Sequence, residues 1–497
     1  MSIELLMLLC LLIPLIGAVL ILYTGHWPNL REAVSLTTAV LLFITVTQLW
    51  SAVLAGDAAV LTLAEPVPGI TIAFAMEPLG LLFALIASFL WIITTIYAIG
   101  YMRSNKEHNQ TRFYVCFAIS LAATIGIAFA ANLFTLFIFY EVLTLSTYPL
   151  VTHHGTEKAR HGGRIYLGIL ISTSIVFLLL AIILTWHLTG TTDFRAGGIL
   201  AGKADGVVTC VLLALYVFGI GKAALMPFHS WLPAAMVAPT PVSALLHAVA
   251  VVKAGVFSVV KVIVYVFGID NLAALHSGDW LAYIAGFTII VASIIALRSD
   301  NLKRRLAYST VSQLSYVILA TALLLPVSVM AATLHIAAHA FGKITLFFAA
   351  GAIYTAAHKT EVSQLNGIGW QMPWTMTAFA IGALSMIGIP PTAGFLSKWY
   401  LLLGTLETGH LFALAVIIVS TLLNAAYFMP IVYAAFFKAP ATPAEGPDTY
   451  RDAHHDAHGE APWPMLLAMS VTVFGSLALF FYAELPLTLA RQLVGGS

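Results

Sequence analysis

Residues 217–261 read VFGIGKAALMPFHSWLPAAMVAPTPVSALLHAVAVVKAGVFSVVK, an apolar stretch interrupted by prolines that carries Lys222, Lys253 and Lys261. A charged side chain at the centre of a bilayer costs roughly 2.5–3.5 kcal/mol on insertion scales. Proline removes a helical hydrogen bond and clashes with the preceding turn. The stretch therefore predicts helices that are interrupted at membrane depth beside buried lysines.

The composition places the whole chain in a membrane. Of its 497 residues 61% are hydrophobic and 9% are charged, whereas soluble domains have about 25% charged residues. The net charge of +1 gives no reason to expect a nucleic-acid partner. Cys10, Cys116 and Cys210 lie far apart in apolar runs, so neither a zinc site nor an iron–sulfur centre is predicted. We expect no cofactor and no bound metal.

Apolar runs of about 20 residues, the length that spans a bilayer, recur along the chain. They predict an all-α membrane fold of about fourteen transmembrane helices: 3–23, 32–54, 77–100, 111–130, 132–152, 163–188, 207–226, 240–267, 279–298, 306–325, 328–357, 373–406, 409–437 and 463–485.

A second interruption, Gly388-Ile389-Pro390-Pro391-Thr392-Ala393-Gly394, precedes Lys398. Interrupted spans at corresponding places in two halves indicate inverted repeats with an ion site near the midplane. We predict two inverted five-helix repeats with broken helices near Lys222 and Pro390. The expected segments are a three-helix segment at 1–110, repeats at 111–267 and 279–437, a His/Pro-rich loop at 438–462, and the last transmembrane helix and C-terminus at 463–497.

Basic residues are distributed unevenly between the loops. Arg195 and Lys203 follow even-numbered helices, whereas fourteen follow odd-numbered ones: Arg31, Arg103, Lys106, Arg112, Lys158, Arg160, Arg164, Arg298, Lys303, Arg304, Arg305, Lys359, Lys438 and Arg451. Cytoplasmic loops carry the excess of Lys and Arg. We therefore predict a multi-pass protein of the cell (inner) membrane with both termini outside, a cytoplasmic 438–462 loop and a retained first helix.

Ionisable residues inside the spans are candidates for handling charge. Glu141 lies midway along its span, and Lys222 is its natural partner, although Lys222 is also placed to reach an interface by snorkelling. Lys253 is central in its span and must pair or lose its proton. Lys261 lies nearer a helix end, so snorkelling is expected there. An inert ion pair that only joins two helices is the alternative for Glu141 and Lys222.

His335, His339 and Lys343 follow one another at four-residue intervals and form one polar stripe on a helix. Histidine passes protons readily near neutral pH, so the stripe suits a proton wire. The rivals are simple packing and a metal site, but no third ligand is evident. His247, one turn after Ser243, either joins this axis or is a hydrogen-bonded core histidine. We assign Lys398 the release or uptake of a proton at one surface.

These landmarks resemble the antiporter-like membrane subunits shared by Mrp-type multisubunit Na⁺/H⁺ antiporters, respiratory complex I and membrane-bound hydrogenases. The resemblance covers nearly the whole chain. It rests on YEVLT at 140–144, KAALMPFHSWLP at 222–233, APTPVSALLH at 238–247, Lys253, RRLAYSTVSQ at 304–313, and GIPP at 388–391 with Lys398.

The resemblance implies roles for single residues. Glu141 and Lys222 match the family's essential Glu–Lys pair, Lys253 its central lysine, and Lys398 the lysine of its second broken helix. Some complex I members have a glutamate at the last position, and this chain does not. Because the chain ends soon after its final helix, we expect neither a long lateral helix nor an extra domain. Among the Mrp-type proteins it most resembles the component designated D.

We therefore expect a non-enzymatic subunit of a Na⁺/H⁺ antiporter that works with other membrane subunits in the lipid bilayer. Protons (H⁺) would pass along Glu141, Lys222, Lys253, His335, His339, Lys343 and Lys398 and drive Na⁺ export. A proton-pumping subunit of a redox complex, either respiratory complex I (NADH-quinone oxidoreductase) or a membrane-bound hydrogenase, is the first alternative. A membrane anchor with inert ion pairs is the second.

Overall fold

The computed structural model describes residues 2–57, 59–439 and 459–495. Most of the 438–462 loop therefore lies outside the described residues. The helices of the first half are α1 Ile3–Tyr23, α2 Pro28–Thr47, α3 Pro78–Ser104, α4 Gln110–Ala128, α5 Leu133–Val151, α6 Glu157–Thr189, α7 Gly206–Gly219 and α8 Thr240–Phe267. Those of the second half are α9 Asp279–Arg298, α10 Leu302–Ala322, α11 Pro326–Ala357, α12 Pro373–Ile387, α13 Ala393–Glu407, α14 Leu411–Phe437, α15 Trp463–Phe481 and α16 Glu484–Leu493.

The helix content confirms the predicted fold class. Eleven helices of the described residues are long and apolar enough to cross a membrane. Adding α7, α10 and the α12–α13 pair brings the spans to the expected fourteen. The amphipathic α16 replaces the end of the predicted run 463–485, and short helices at Trp50–Ala55 and Ile269–Leu275 extend α2 and follow α8.

Both predicted helix breaks are present. The helix α7 ends at Gly219 and is followed by a single tight turn at Gly221–Ala223 and a four-residue helix at Trp231–Ala234. The helix α12 ends where Gly388 adopts a φ of 89°, a conformation that glycine tolerates because it has no Cβ. Each break falls in the fourth span of a group of five, 111–267 and 279–437. The inverted symmetry of the two groups stays a prediction.

A β-hairpin is the element that the sequence patterns did not indicate. Strand β1 (Val60–Val67) pairs antiparallel with β2 (Ile70–Ala75), and Phe74 of β2 also bridges to Ala130. The Ala131 amide donates to the Ala73 carbonyl at 2.9 Å. The hairpin is thus joined to the connection between α4 and α5. We call the side of the protein that carries it, with the loop at 190–205, the hairpin face.

The opposite side carries the connections α3–α4, α5–α6, α9–α10 and α11–α12. Most of the basic residues counted above lie in these connections or in the helix ends next to them, so we call this side the basic face. Between the two faces runs α11, whose 32 residues extend roughly 48 Å at 1.5 Å per residue. Its apolar window is completely buried, because α3, α8, α10, α12, α13, α15 and α16 all pack around it. Side chains within this window of α11 therefore face protein on every side.

Candidate functional site

The polar stripe of α11 forms the centre of the candidate site. His339 and Lys343 are completely buried, and His335 is 4% exposed. Together the three side chains contact α8, α10 and α13, because α11 is surrounded. The stripe predicted from the four-residue spacing is therefore a branching point for polar contacts between helices.

Lys253 of α8 contacts this stripe directly. Its Nζ lies 2.8 Å from Nδ1 of His339, and Lys253 is completely buried. A lysine ammonium can only donate, whereas a neutral imidazole nitrogen can accept. The two side chains therefore share a hydrogen bond between two bases, in place of the carboxylate partner that usually accompanies a buried lysine.

From His339 the contacts continue toward α13. The His335 and His339 ring centroids are 6.1 Å apart, and Nδ1 of His335 lies 2.9 Å from Oγ of Ser397. Tyr316 of α10 stacks on His335 with a centroid separation of 5.5 Å. The next residue after Ser397 is Lys398, so His335 links the α11 stripe to the second broken helix.

The break in α12 holds Lys398. Its Nζ donates to the carbonyls of Met386 and Ile387 at 3.0 and 2.8 Å and lies 5.0 Å from the centroid of the Tyr316 ring. The last carbonyls of a helix have no helical donors and carry partial negative charge. The interruption at Gly388 therefore creates the acceptors that bind this ammonium, 7% exposed, without a carboxylate.

Lys343 belongs to a second branch. Its Nζ donates to Oγ of Ser309 at 2.5 Å, and Ser309 shares a hydrogen bond of 2.8 Å with the hydroxyl of Tyr427. Tyr427 also donates to Asn424, whose amide reaches the Met386 carbonyl at 3.5 Å. This branch therefore ends on the same carbonyl that holds Lys398.

We predict that Tyr427→Phe slows proton movement about 10-fold while the protein still assembles, because it removes only the hydroxyl that joins Ser309 to Asn424. Proton translocation into membrane vesicles is the measurement. Tyr433→Phe, at an exposed position on the same helix, is the control. Equal rates in the two variants would show that this branch carries no protons.

Lys222 lies apart from these branches, in the turn at Gly221–Ala223 that follows α7, and contacts α5. Its Nζ donates to the carbonyl of Tyr140 at 2.7 Å and to Oγ1 of Thr144 at 2.6 Å, and it sits 3.1 Å from the centroid of the Tyr140 ring. The lysine is completely buried, so the snorkelling alternative is wrong. No hydrogen bond joins Lys222 to the Lys253 branch among the described residues.

Glu141 is not in a direct ion pair with Lys222 in this structure. Both carboxylate oxygens are buried and have no hydrogen-bond partner among the described residues. Successive residues of a helix point about 100° apart, so an ammonium bound at Tyr140 and Thr144 lies to one side of Glu141. The structure thus brings the two groups to the same level of α5 and leaves the carboxylate unpaired.

His247 occupies a widened turn of α8 at Leu245–Val249. Its ring packs on Phe347 at 4.6 Å between centroids, and neither ring nitrogen has a partner among the described residues. Ser243 hydrogen-bonds the Pro239 carbonyl, so the two polar residues are not joined. Wide turns of this kind are frequent at functional sites, and an unpartnered buried imidazole needs water or a moving proton donor.

The expectation that Lys261 snorkels is wrong. Its side chain is completely buried and forms an ion pair with Glu77 at the start of α3. Its Nζ also donates to the Ala130 carbonyl at 2.6 Å. Hydropathy along α8 did not reveal this because the partner lies on another helix, far away in sequence.

A cavity of about 850 Å³ opens on the basic face. Its lining includes Glu107, His154, Thr240, Lys303, Arg304 and Lys359. In the loops beside it, burial raises the pKa of the Glu107 carboxyl, and burial lowers the pKa of His153 to about 4. Thr240 is the first residue of α8, so the cavity reaches the helix that carries His247 and Lys253.

The sequence patterns missed several residues of the site. Asn424 and Tyr427 are polar side chains inside the apolar run 409–437, and this position could have identified them as candidates. The hydroxyls of Thr144 and Ser397 could not be identified in this way, because such hydroxyls are common in membrane helices. Within the described ranges, no three His, Cys, Asp or Glu side chains are arranged to hold a metal ion. The site consists of lysines, imidazoles, hydroxyls and freed carbonyls, with the carboxylate of Glu141 near Lys222.

Such a fold and site define a polytopic membrane protein with a line of buried bases across its centre. Residues 130–424 match the family described as NADH:quinone oxidoreductase/Mrp antiporter, transmembrane. The chain belongs to this family.

Relatives within the family have different names. The chain is 33% identical over 419 residues to NADH-quinone oxidoreductase subunit N of Desulforudis audaxviator, and the matched region covers 83% of this chain and 82% of that protein. It is 31% identical over 445 residues to a Na⁺/H⁺ antiporter protein of Alkalihalophilus pseudofirmus, 84% of this chain and 53% of that protein. Hydrogenase-4 component B of Escherichia coli is 30% identical over 359 residues, 70% of this chain and 53% of that protein.

A solved structure shares the fold over nearly its full length. A chain of the Mrp complex from Dietzia sp. superposes with a TM-score of 0.87 at 23% identity, covering 99% of this chain and 98% of that one. At this identity the likeness concerns the fold alone.

Proposed function

We propose that this chain is a proton-translocating membrane subunit of a multisubunit monovalent cation/proton antiporter, with Na⁺ as the exchanged cation. The observation that carries the proposal is the direct contact of Lys253 with His339, two buried bases with one hydrogen bond between them. Moving a proton between these two bases costs little free energy, because neither partner is a carboxylate that would hold the lysine charged.

The route begins in the cavity of the basic face, which we propose to be cytoplasmic, with both termini outside. Protons pass from Thr240 and His247 to Lys253 and His339, and then by His335 or Lys343 to Lys398. Charge on one base disfavours charge on its neighbour. Transfer therefore proceeds by successive switching of side chains rather than by large helix motions.

Glu141 and Lys222 control this route in the proposal. A buried carboxylate without a partner is strongly sensitive to any charge that approaches it. When Lys222 swings from Tyr140 and Thr144 toward Glu141, its positive charge moves relative to Lys253. That displacement is how the pair biases protonation of the central bases.

A subunit of a redox-driven proton pump is the second candidate, supported by the relative named NADH-quinone oxidoreductase subunit N, which the chain covers over most of its length. Purification of the native complex separates the two candidates. Small membrane proteins without flavin or iron–sulfur centres indicate an antiporter, in which this chain is not part of an enzyme. Co-purifying redox subunits would assign it to a translocating oxidoreductase.

We predict that Lys222→Ala, and likewise Glu141→Ala, lowers Na⁺-dependent proton exchange by about 100-fold, as expected for loss of a group that takes part in proton transfer. The measurement is the collapse of a pH gradient in everted vesicles, with complex assembly followed in parallel. Lys203→Ala, an exposed lysine, is the control. Normal exchange by either variant would show that Glu141 and Lys222 do not control the route and are only an inert structural pair.

A further inference from the structure

A second buried lysine lies on α8, outside the route described above. Lys261 follows Lys253 by eight residues, about 12 Å along the helix toward the hairpin face. Its ammonium is completely buried and lies 4.4 Å from the centroid of the Phe194 ring. Along α8, Lys261 is therefore the basic group between Lys253 and the hairpin face.

Glu77 connects this lysine to the surface. The two side chains form an ion pair in which the lysine is fully buried and the carboxylate is 14% exposed. Glu77 occupies the N-cap position of α3, two residues after the end of β2, and its side chain makes no capping hydrogen bond. The pair thus has one member facing the interior and the other reaching solvent, which is the arrangement needed for exchange between a buried site and water.

A free polar group lies on the inner side of the pair. The hydroxyl of Ser258, one turn before Lys261 on α8, is completely buried and has no hydrogen-bond partner among the described residues. Residues three apart on a helix lie on the same side. A buried hydroxyl without a partner is where a water molecule is stabilised, and along the axis of α8 this hydroxyl lies at a level between Lys253 and Lys261, on the side of Lys261.

Among the described titratable groups around the pair, Glu77 is the one placed to take the proton of Lys261. Tyr265, the next turn of α8, lies beside Glu77, and the loop that covers Lys261 places Asp193 and Arg195 in exposed positions. The remaining contact of the ammonium is the Ala130 carbonyl, which cannot take up a proton at neutral pH.

We infer that Lys261 and Glu77 form the proton-exchange gate between Lys253 and the hairpin face, so that protons held along the line from His339 to Lys398 reach that face back through Lys253; the inference rests on the proposed function. The ammonium of Lys261 gives a proton to the Glu77 carboxylate, which releases it to solvent. Neutral Lys261 then takes a proton from Lys253 through water at Ser258. One proton leaves for each that arrives, and both groups return to their charged pair.

Lys261→Arg tests the gate in everted vesicles that contain the chain with its native partner subunits. Arginine preserves the positive charge and the ion pair but does not deprotonate in proteins. A gate predicts an assembled complex whose proton translocation falls about 100-fold, and Glu77→Gln should do the same. Lys203→Arg, an exposed lysine on the hairpin face, should have no effect.

A double variant, Lys261→Met with Glu77→Leu, separates a gate from a structural ion pair. Apolar residues often replace a buried ion pair without loss of stability. An assembled, inactive double variant supports the gate, whereas an assembled and active one overturns it, as does normal translocation by Lys261→Arg.

Lys253→Met, assayed in the same vesicles, keeps this inference apart from the proposed function. If Lys253→Met is inactive and Lys261→Arg is active, only the gate is wrong. If Lys253→Met is also active, the proton route itself is wrong.

Discussion

Replacing Lys253 with methionine is expected to lower proton translocation by about 100-fold or more, because the variant removes the proton carrier that contacts His339. Methionine has nearly the length and volume of lysine, so it fills the same space. The measurement is proton uptake by everted vesicles, normalised to the amount of assembled complex.

The same substitution should leave the protein as stable as the wild type or more stable. Removing one member of a buried ion pair leaves an uncompensated charge and destabilises the protein by about 3–5 kcal/mol. Lys253 has a neutral imidazole as its partner, so Lys253→Met leaves no buried charge without a partner. Thermal unfolding in detergent checks this, and a strongly destabilised Lys253→Met would contradict the pairing seen in the structure. Lys203→Met is the control for both measurements.

The second large effect is expected at Gly255, where α8 packs directly against the backbone of the first helix break. A Cβ at this position would collide with the backbone atoms of Lys222 and Ala223. Backbone cannot move aside as a flexible side chain does, so Gly255→Ala should destabilise the protein by about 1–3 kcal/mol. It should also displace Lys222 relative to Lys253 and lower translocation about 10-fold.

Gly168→Ala is the matched control. Gly168 lies in α6, and a Cβ there meets no atom within 4 Å. Because glycine in a helix costs about 0.5–1 kcal/mol relative to alanine, this variant should be slightly more stable than the wild type. Thermal unfolding and vesicle transport are measured for both variants. Similar behaviour of the two would show that the close approach of α8 to Lys222 has no importance for the protein.

Much of the architecture could be predicted from local sequence. The spans, both breaks and the burial of Lys253 follow from hydropathy, proline and charge along single stretches of chain. The hairpin at 60–75 could not be predicted in this way, since β1 is largely exposed and β2 is held by pairing with residues 129–131. The end of α15 was placed too late because α16 continues the apolar run after a turn.

The site was harder to predict than the fold. The stripe on α11 could be predicted from the four-residue spacing. Its place at the centre of the site follows from the burial of that helix, which leaves no solvent around the stripe. Its partners did not follow, because Ser309, Ser397 and Asn424 lie on three other helices. Lys261 shows the same difficulty, since a position near a helix end suggested exposure while Glu77, far away in sequence, buries it.

The sequence alone determined that this protein spans a membrane many times, breaks two of its helices and retains ionisable groups inside, because the cost of charge in lipid and of proline in a helix acts locally. Only the tertiary structure decided which group meets which. Neighbouring residues of a helix point about 100° apart, so spacing in the sequence does not decide which side chains meet. Helix packing brings Lys222 to Tyr140 and Thr144 rather than to Glu141. It likewise brings Lys253 to His339.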